Sequence, residues 1–481
     1  MQKSLTIIFI LFAPLALCAQ AGFSLEDALG EAREKAYGAF LAESRREAAE
    51  ERYLLFRAGL GPELRLEAQA PNYIKTSSQI IQPNGAILFQ PVSQNNAWAS
   101  VQAAMPLSWT GGSLFIQSDL QRFDDFINSG HLYNGIPLRI GLIQPVLGFN
   151  GLRWQKRTEP KRMEESAKRY CYEIEALHLG VSARYFAALS ARADLDIARS
   201  NREAMEKLIR IAEERDSLGK ISKDERLQLG IELKNAILGA ERAAFQLDAA
   251  LGELAVFAGL GVTPLPESLT TPEPANRTAP DPERAAVLAL NHLPDMTAAE
   301  LDALEAEQNL ALARYNYGPQ VNLALSVGLA RGSENLGDIY ASPFTEQQAR
   351  LSLSIPIVDW GRRRHALGVA VIEKEQAERA LQQLKTDYGF LARQKALELH
   401  QLQQSLALLA EIRADSEERF RISNERYVLG ATGITELTLA QRDKDQAFRE
   451  YVRSLEAFYR VHFELRQLTG FDFLENKPVE Y

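Results

Sequence analysis

The chain has 481 residues, of which 46% are hydrophobic and 24% charged, a balance typical of a folded protein. Its net charge of −9 and the lack of a basic run argue against general nucleic-acid binding. The six histidines are scattered without metal-ligand spacing, and no GxSxG, HExxH or phosphate-loop motif occurs, so we predict neither an enzyme nor a bound cofactor.

The first 21 residues are typical of a signal peptide, and an ordinary buried N-terminal helix is the alternative. Lys3 is a positive n-region, residues 4–17 are apolar, and residues 19–21 form a small-x-small cleavage site. Cys18 leaves lipidation open, but the bulky residue before it favours cleavage after residue 21. Cys171 is then the remaining cysteine, so we expect no intrachain disulfide. No later apolar run of 18 residues predicts a membrane-spanning helix.

The rest of the chain contains an internal duplication. GPELRLEA at residues 61–68 recurs as GPQVNLAL at residues 318–325, and QPVLGFNGLR at residues 144–153 recurs as IPIVDWGRRR at residues 355–364. A long segment duplicated in this way indicates an internal structural repeat. The expected organisation is a signal peptide (1–21), a first repeat (22–262), a proline-rich linker (263–282), a second repeat (283–470) and a C-terminal tail (471–481).

Each copy is predicted to contain one helix, then strands, then a long helix followed by a turn and a return helix. Ser24 can cap the first helix, with Asp27 three residues on completing a capping box. The expected helices are 24–58, 152–218 and 222–257 in the first copy, and a helix ending at 317, 362–427 and 434–468 in the second.

The long helix of the second copy has coiled-coil spacing. Apolar residues step by four and three from Ala377 to Leu391, and leucines do so from Leu399 to Leu409. A plain helical bundle would fit the same heptads. Further apolar residues lie off this seam, so the helix is expected to pack on two sides: Ala380, Leu397 and Leu408.

The segments between the helices alternate apolar with small or polar residues. Such a period of two is what a transmembrane barrel strand needs, although the edge of a soluble sheet could show it too. Bacterial barrels begin at about eight strands, so four to six strands per chain would require an oligomer. The predicted strands are 64–70, 97–105, 113–120 and 138–145 in the first copy, and 321–329 and 349–355 in the second.

The order and spacing of these features resemble the outer-membrane efflux protein family, the TolC-like channels. The resemblance rests on the duplication, on Pro145 and Pro356 leading into long helices, and on the stretch RYVLGATGITELTLAQ at residues 426–441. It implies a mainly α fold with a transmembrane β-barrel part, in which duplicated long helical hairpins form a periplasmic tunnel. Three chains would pool their strands into one barrel in the lipid of the outer membrane.

The resemblance also implies the function: the outer-membrane channel of a tripartite efflux or type I secretion system. Such a channel is a passive duct that docks a periplasmic adaptor linked to an inner-membrane pump. A periplasmic coiled-coil adaptor or scaffold is the alternative, but it would show one helical hairpin within a β-domain. The extra strand pair of the first copy leaves open whether a trimer has 12 or 18 barrel strands.

Site residues follow from the resemblance by position. The turns that dock the adaptor are Leu218-Gly219 and Leu429-Gly430. The periplasmic gate is expected to involve Glu225, Tyr427 and Glu436. The family pattern has an arginine two residues after the second glycine, where this chain has Thr432.

Overall fold

The computed structural model describes residues 22–81, 85–217, 223–261, 265–266, 268–272, 279–429, 431–432 and 434–479. Its contacts divide the chain into two units. We call the first, described over residues 22–42, 171–289 and 390–479 with the gaps given above, the helical unit. We call the second, residues 43–170 and 290–389, the sheet unit. Each unit therefore combines residues from both copies of the repeat.

The long helices begin and end within one residue of the predicted positions. This agreement follows from the strong apolar periodicity and from the strands and turns that flank each helix. The helices are α1 (Leu25–Lys35), α2 (Tyr37–Ala58), α3 (Gly151–Ser217), α4 (Lys223–Phe257), α5 (Pro282–His292), α6 (Pro294–Asn316), α7 (Leu336–Ala341), α8 (Arg362–Val428) and α9 (Ile434–Thr469).

The first helix of each copy is broken, which corrects the prediction of a continuous helix over 24–58. The predicted capping box is present, because Ser24 and Asp27 each bond to the other's backbone N–H. Ala36 is extended, with ψ 140°, and separates α1 from α2. Gly259, at φ 78°, lies so close to this break that an added Cβ would be 2.3 Å from the Lys35 carbonyl oxygen. In the second copy, Pro294 begins α6 just after α5 ends.

The core of the helical unit forms where α3 packs against α4. Ala188 and Leu195 of α3 are buried together with Leu247 and Leu251 of α4. Along α8, the predicted heptad residues are buried or half-buried, while the off-seam Leu397 and Leu408 are exposed. In the single chain the second apolar side of α8 is therefore uncovered.

A buried ion cluster, made of Glu175, His462, Arg466 and Asp472, lies in the helical unit. Nη2 of Arg466 is 2.8 Å from Oε1 of Glu175, and Nη1 is 3.1 Å from Oδ2 of Asp472. Nε2 of His462 is 3.7 Å from the same Asp472 oxygen. Burial lowers the pKa of His462 to about 4; the Asp472 carboxylate opposes this shift, and the Arg466 guanidinium adds to it.

The sheet unit contains one antiparallel seven-stranded sheet with the order β1-β3-β4-β5-β6-β7, and β2 also pairs with β3. All six predicted strands are present in it. The strands are β1 (Glu63–Gln69), β2 (Tyr73–Ile81), β3 (Ile87–Leu107), β4 (Gly112–Asp125), β5 (Gly130–Leu147), β6 (Gln320–Ser333) and β7 (Phe344–Ser354). A separate hairpin of β8 (Phe471–Asp472) and β9 (Lys477–Pro478) belongs to the helical unit.

The sequence did not predict β2, and it predicted only about half of β3. β2 pairs with the first part of β3, from Tyr73 opposite Asn95 to Ile81 opposite Ile87. β1 pairs with the later part of β3, from Glu63 opposite Ala104. β3 is therefore 21 residues long because two successive strands pair along it.

Candidate functional site

One face of the sheet exposes an apolar surface. Side chains alternate between the faces of a strand, so residues that pair across strands share a face. One row across β3 to β6 is entirely apolar: Met105, Leu114, Leu142 and Leu325 are successive partners. Met105, Leu114 and Leu325 are exposed to solvent in the single chain. This row, with its neighbours on the same face, is the apolar face of the sheet.

The opposite face is polar and carries hydrogen bonds between and along its strands. Trp98 Nε1 donates to Gln69 Oε1 at 3.0 Å, and Gln117 Nε2 donates to Asp119 Oδ2 at 2.8 Å. Arg139 Nη2 of β5, in the first copy, is 2.8 Å from a carboxylate oxygen of Glu346 of β7, in the second copy. We call this the polar face; it presents amides, hydroxyls and charges, which are suited to contact with water and hydrated solutes.

The polar face also holds a concave site with a volume of about 470 Å³. Its lining includes an aromatic ring, several amides and two acids. Among these residues are Glu67, Trp98, Gln102, Asp119, Gln121 and Asn134.

The end of α8 carries the predicted second turn. The Ala431 N–H donates to the Arg426 carbonyl at 2.9 Å, which caps the last helical turn. Leu429 is 82% exposed. Thr432 Oγ1 donates to a carboxylate oxygen of Glu436, and Arg426 Nη1 is 3.7 Å from the other oxygen. Arg426 of the same turn therefore places a positive charge beside Glu436.

Several predicted site residues fall outside what the structure describes. Leu218, Gly219 and Gly430 lie outside the described residues. Glu225 lies in α4 and Tyr427 in α8, but their side chains are not described. Their roles at the turns and at the gate stay predictions.

Two further surveys cover only the residues that the structure describes. Within them, no helix has the length and apolar character needed to cross a membrane. No cluster of three or more His, Cys, Asp or Glu in the same residues is arranged to hold a metal ion.

The chain is similar in sequence to known outer-membrane proteins. The outer membrane efflux protein family matches residues 285–471. Protein CyaE of Bordetella pertussis is 28% identical over 299 residues, which is 62% of this chain. The match also spans 62% of the length of that curated relative.

Solved structures share the fold across nearly the whole chain. A membrane protein from Pseudomonas aeruginosa has a TM-score of 0.66 at 16% identity, covering 95% of this chain and 92% of its own. The CmeC outer membrane channel of Campylobacter jejuni has a TM-score of 0.66 at 13% identity, covering 95% and 87%. The MtrE outer membrane channel of Neisseria gonorrhoeae has a TM-score of 0.64 at 18% identity, covering 95% and 91%. Residues 285–471 therefore match the outer membrane efflux protein family, and the chain has the fold of these solved outer-membrane channels.

Proposed function

We propose that this chain is the outer-membrane channel of a tripartite efflux or type I secretion system. It acts as a passive duct, without catalysis of its own, and docks a periplasmic adaptor linked to an inner-membrane pump. The observation that carries this proposal is a sheet with one exposed apolar face and one polar face. A sheet of a water-soluble protein buries its apolar face against a core, because each Å² of apolar area removed from water contributes about 25 cal/mol.

The two faces suit two different surroundings. Exposed apolar patches beyond a few hundred Å² mark contacts with lipid or protein, and the apolar row from Met105 to Leu325 crosses four strands. The polar face cannot lie against hydrocarbon, because its charged and amide groups would be costly to desolvate. Lipid outside and water inside satisfy both faces.

The sheet edges support an oligomer. Among the described strands, β1 and β7 end the path, so each has one strand neighbour within the chain. Spanning strands must close into a ring because unpaired backbone groups cannot be exposed to hydrocarbon. A homotrimer, as in the family arrangement, provides the missing neighbours.

The turns serve the periplasmic end in this proposal. The exposed Leu429 supports docking of an adaptor at Leu429-Gly430, and the repeat extends the same role to Leu218-Gly219. Tyr427 and Glu225 hold the entrance closed through contacts between neighbouring turns. Glu436 stays with Arg426 and Thr432 of its own turn, so it stabilises that turn.

A matched pair of arginine substitutions tests the proposal. Leu325 lies on the apolar face, and Gln348 lies on the polar face opposite Ser326. An arginine on the lipid side costs about 2–4 kcal/mol at the bilayer midplane, whereas one on the lumen side changes conductance. We expect Leu325→Arg to lower the amount of trimer in the outer membrane and Gln348→Arg to leave that amount unchanged.

The measurements are outer-membrane fractionation, light scattering in detergent and single-channel recording in planar bilayers. Equal outer-membrane levels for the two variants would contradict the assignment of the lipid face. A parent protein found in the soluble periplasm would favour the scaffold alternative. A monodisperse monomer that still conducts would contradict the proposed homotrimer.

A further inference from the structure

We propose that the β3–β4 hairpin is part of the membrane wall, so that each chain supplies six wall strands and three chains close an eighteen-stranded barrel. This inference rests on the proposed channel function. It concerns the added strand pair of the first copy, which could instead lie outside the wall and leave a twelve-stranded ring.

The pairing of β4 is the first observation. β4 lies between β3 and β5 in the sheet and pairs with β3 from Gln94–Asp125 to Leu107–Gly112. It pairs with β5 from Ser113–Ile143 to Asp125–Gly130, with one irregularity between Gln117 and Asp119. Removing the hairpin from the wall would break both of these ladders and the pairing of β1 with β3.

The lengths of the two strands are the second observation. A strand that crosses the hydrocarbon core needs about 9–11 residues. β4 has 14 residues and β3 has 21. Both strands are therefore long enough to cross the bilayer.

Their side-chain pattern is the third observation. Met105 and Leu114 continue the apolar row that Leu142 and Leu325 form on β5 and β6. On the other face, Gln102 pairs with Gln117, which pairs with Arg139. The apolar and polar faces thus run without interruption through the added hairpin, as one continuous wall requires.

The β3–β4 turn provides a fourth observation. Trp109 in this turn is 80% exposed, and Trp360, just after β7, is 95% exposed. The turn adjoins the start of α3, since Asn150 Nδ2 donates to the Ser108 carbonyl at 2.9 Å and Lys156 Nζ is 2.6 Å from Ser108 Oγ. Aromatic side chains gather at the membrane interfaces of such barrels. The exposed indole of the turn therefore suits the interface on the side of the helices.

Closure is consistent with this count. The path from β1 to β7 alternates in direction over six strands. β7 of one chain therefore runs antiparallel to β1 of the next, which keeps the whole ring antiparallel. Barrel diameter grows roughly linearly with strand number, so this ring is about one and a half times as wide as a twelve-stranded one.

Single-cysteine labelling in liposomes tests the inference. In a Cys171→Ser background, cysteine replaces Ile116 or Gln117 on β4, and Val327 or Gln348 on the reference strands β6 and β7. Each variant is labelled with a bimane dye, and the unsubstituted background protein controls for stray labelling. The trimer is reconstituted into phosphatidylethanolamine and phosphatidylglycerol vesicles with or without nitroxide-labelled lipid.

We expect lipid quenching at Ile116→Cys within about twofold of that at Val327→Cys, and aqueous iodide quenching at Gln117→Cys comparable to that at Gln348→Cys. If Val327→Cys is quenched by lipid and Ile116→Cys is not, the hairpin lies outside the wall. The inference then fails, while the proposed channel function stands. If neither site is quenched by lipid, the channel function itself fails.

Discussion

Replacing Arg466 by methionine should destabilise the helical unit strongly. The guanidinium bonds to Glu175, whose side chain is 1% exposed, and to Asp472, which is 7% exposed. Removing one partner of a buried ion pair costs about 3–5 kcal/mol, because a buried charge is left without compensation. Methionine keeps much of the apolar volume of arginine, so the change reports on the charge.

A second route to the magnitude gives a similar value. A lone buried carboxylate can escape the penalty by taking up a proton. For a glutamate with an ordinary pKa near 4.3, protonation at pH 7 costs about 4 kcal/mol, since each pKa unit is about 1.36 kcal/mol. The penalty from each of the two carboxylates that Arg466 pairs with should therefore not greatly exceed this value.

The assay is urea unfolding of the purified protein in detergent, followed by helical circular dichroism. Arg393→Met is the matched control, because Arg393 is 2.8 Å from Glu283 in an exposed pair that should contribute little. Adding Glu175→Gln to Arg466→Met should restore part of the stability by removing one of the two buried charges. An unfolding midpoint for Arg466→Met equal to that of Arg393→Met would refute the reasoning.

Three further predictions concern pH and the turns. Folded His462 stays neutral down to about pH 4, while the unfolded chain protonates it near 6.5, so stability should fall by up to about 3 kcal/mol between pH 6.5 and 4. His462→Gln should flatten this slope in urea titrations; an unchanged slope would contradict the pKa assignment. Replacing both Gly219 and Gly430 by tryptophan should abolish export while the trimer remains in the outer membrane, because bulky side chains block an adaptor; normal export would rule out these docking turns. Tyr427→Phe with Glu225→Gln should raise single-channel conductance in planar bilayers by removing the hydrogen bond that we propose between these side chains; such a bond contributes roughly 1.5–3 kcal/mol, less where water reaches it. Conductance equal to the parent's would show that the gate is held elsewhere.

The sequence was sufficient to predict the long helices and six strands of the sheet unit. α8 begins at the predicted Arg362, and α9 begins at the predicted Ile434. Both segments repeat apolar residues at helical spacing over many turns, so local pattern and tertiary packing agree. The six predicted strands alternate apolar with small or polar residues, which is the period of two expected for a strand with two unlike faces.

The sequence analysis did not predict the features that depend on contact with a distant segment of the chain. Nothing at Ala36 breaks a helix by propensity, since alanine is the best helix former; the break lies where Gly259 approaches Lys35. β2 has a polar centre from Lys75 to Gln79 and becomes a strand through its pairing with β3. The buried ion cluster joins residues far apart in the chain, and no local pattern links Glu175 to Arg466.

The division into two units sets an order for synthesis. Every residue of the sheet unit precedes residue 390, whereas the helical unit also requires residues 390–479, including the buried Phe471. As the chain crosses into the periplasm from its N-terminus, the strands of the sheet unit emerge before α9 can complete the helical unit. Their edges and apolar face are then a template for wrong pairing with other chains. The strands of the sheet unit are therefore available for such pairing before the helical unit can be completed.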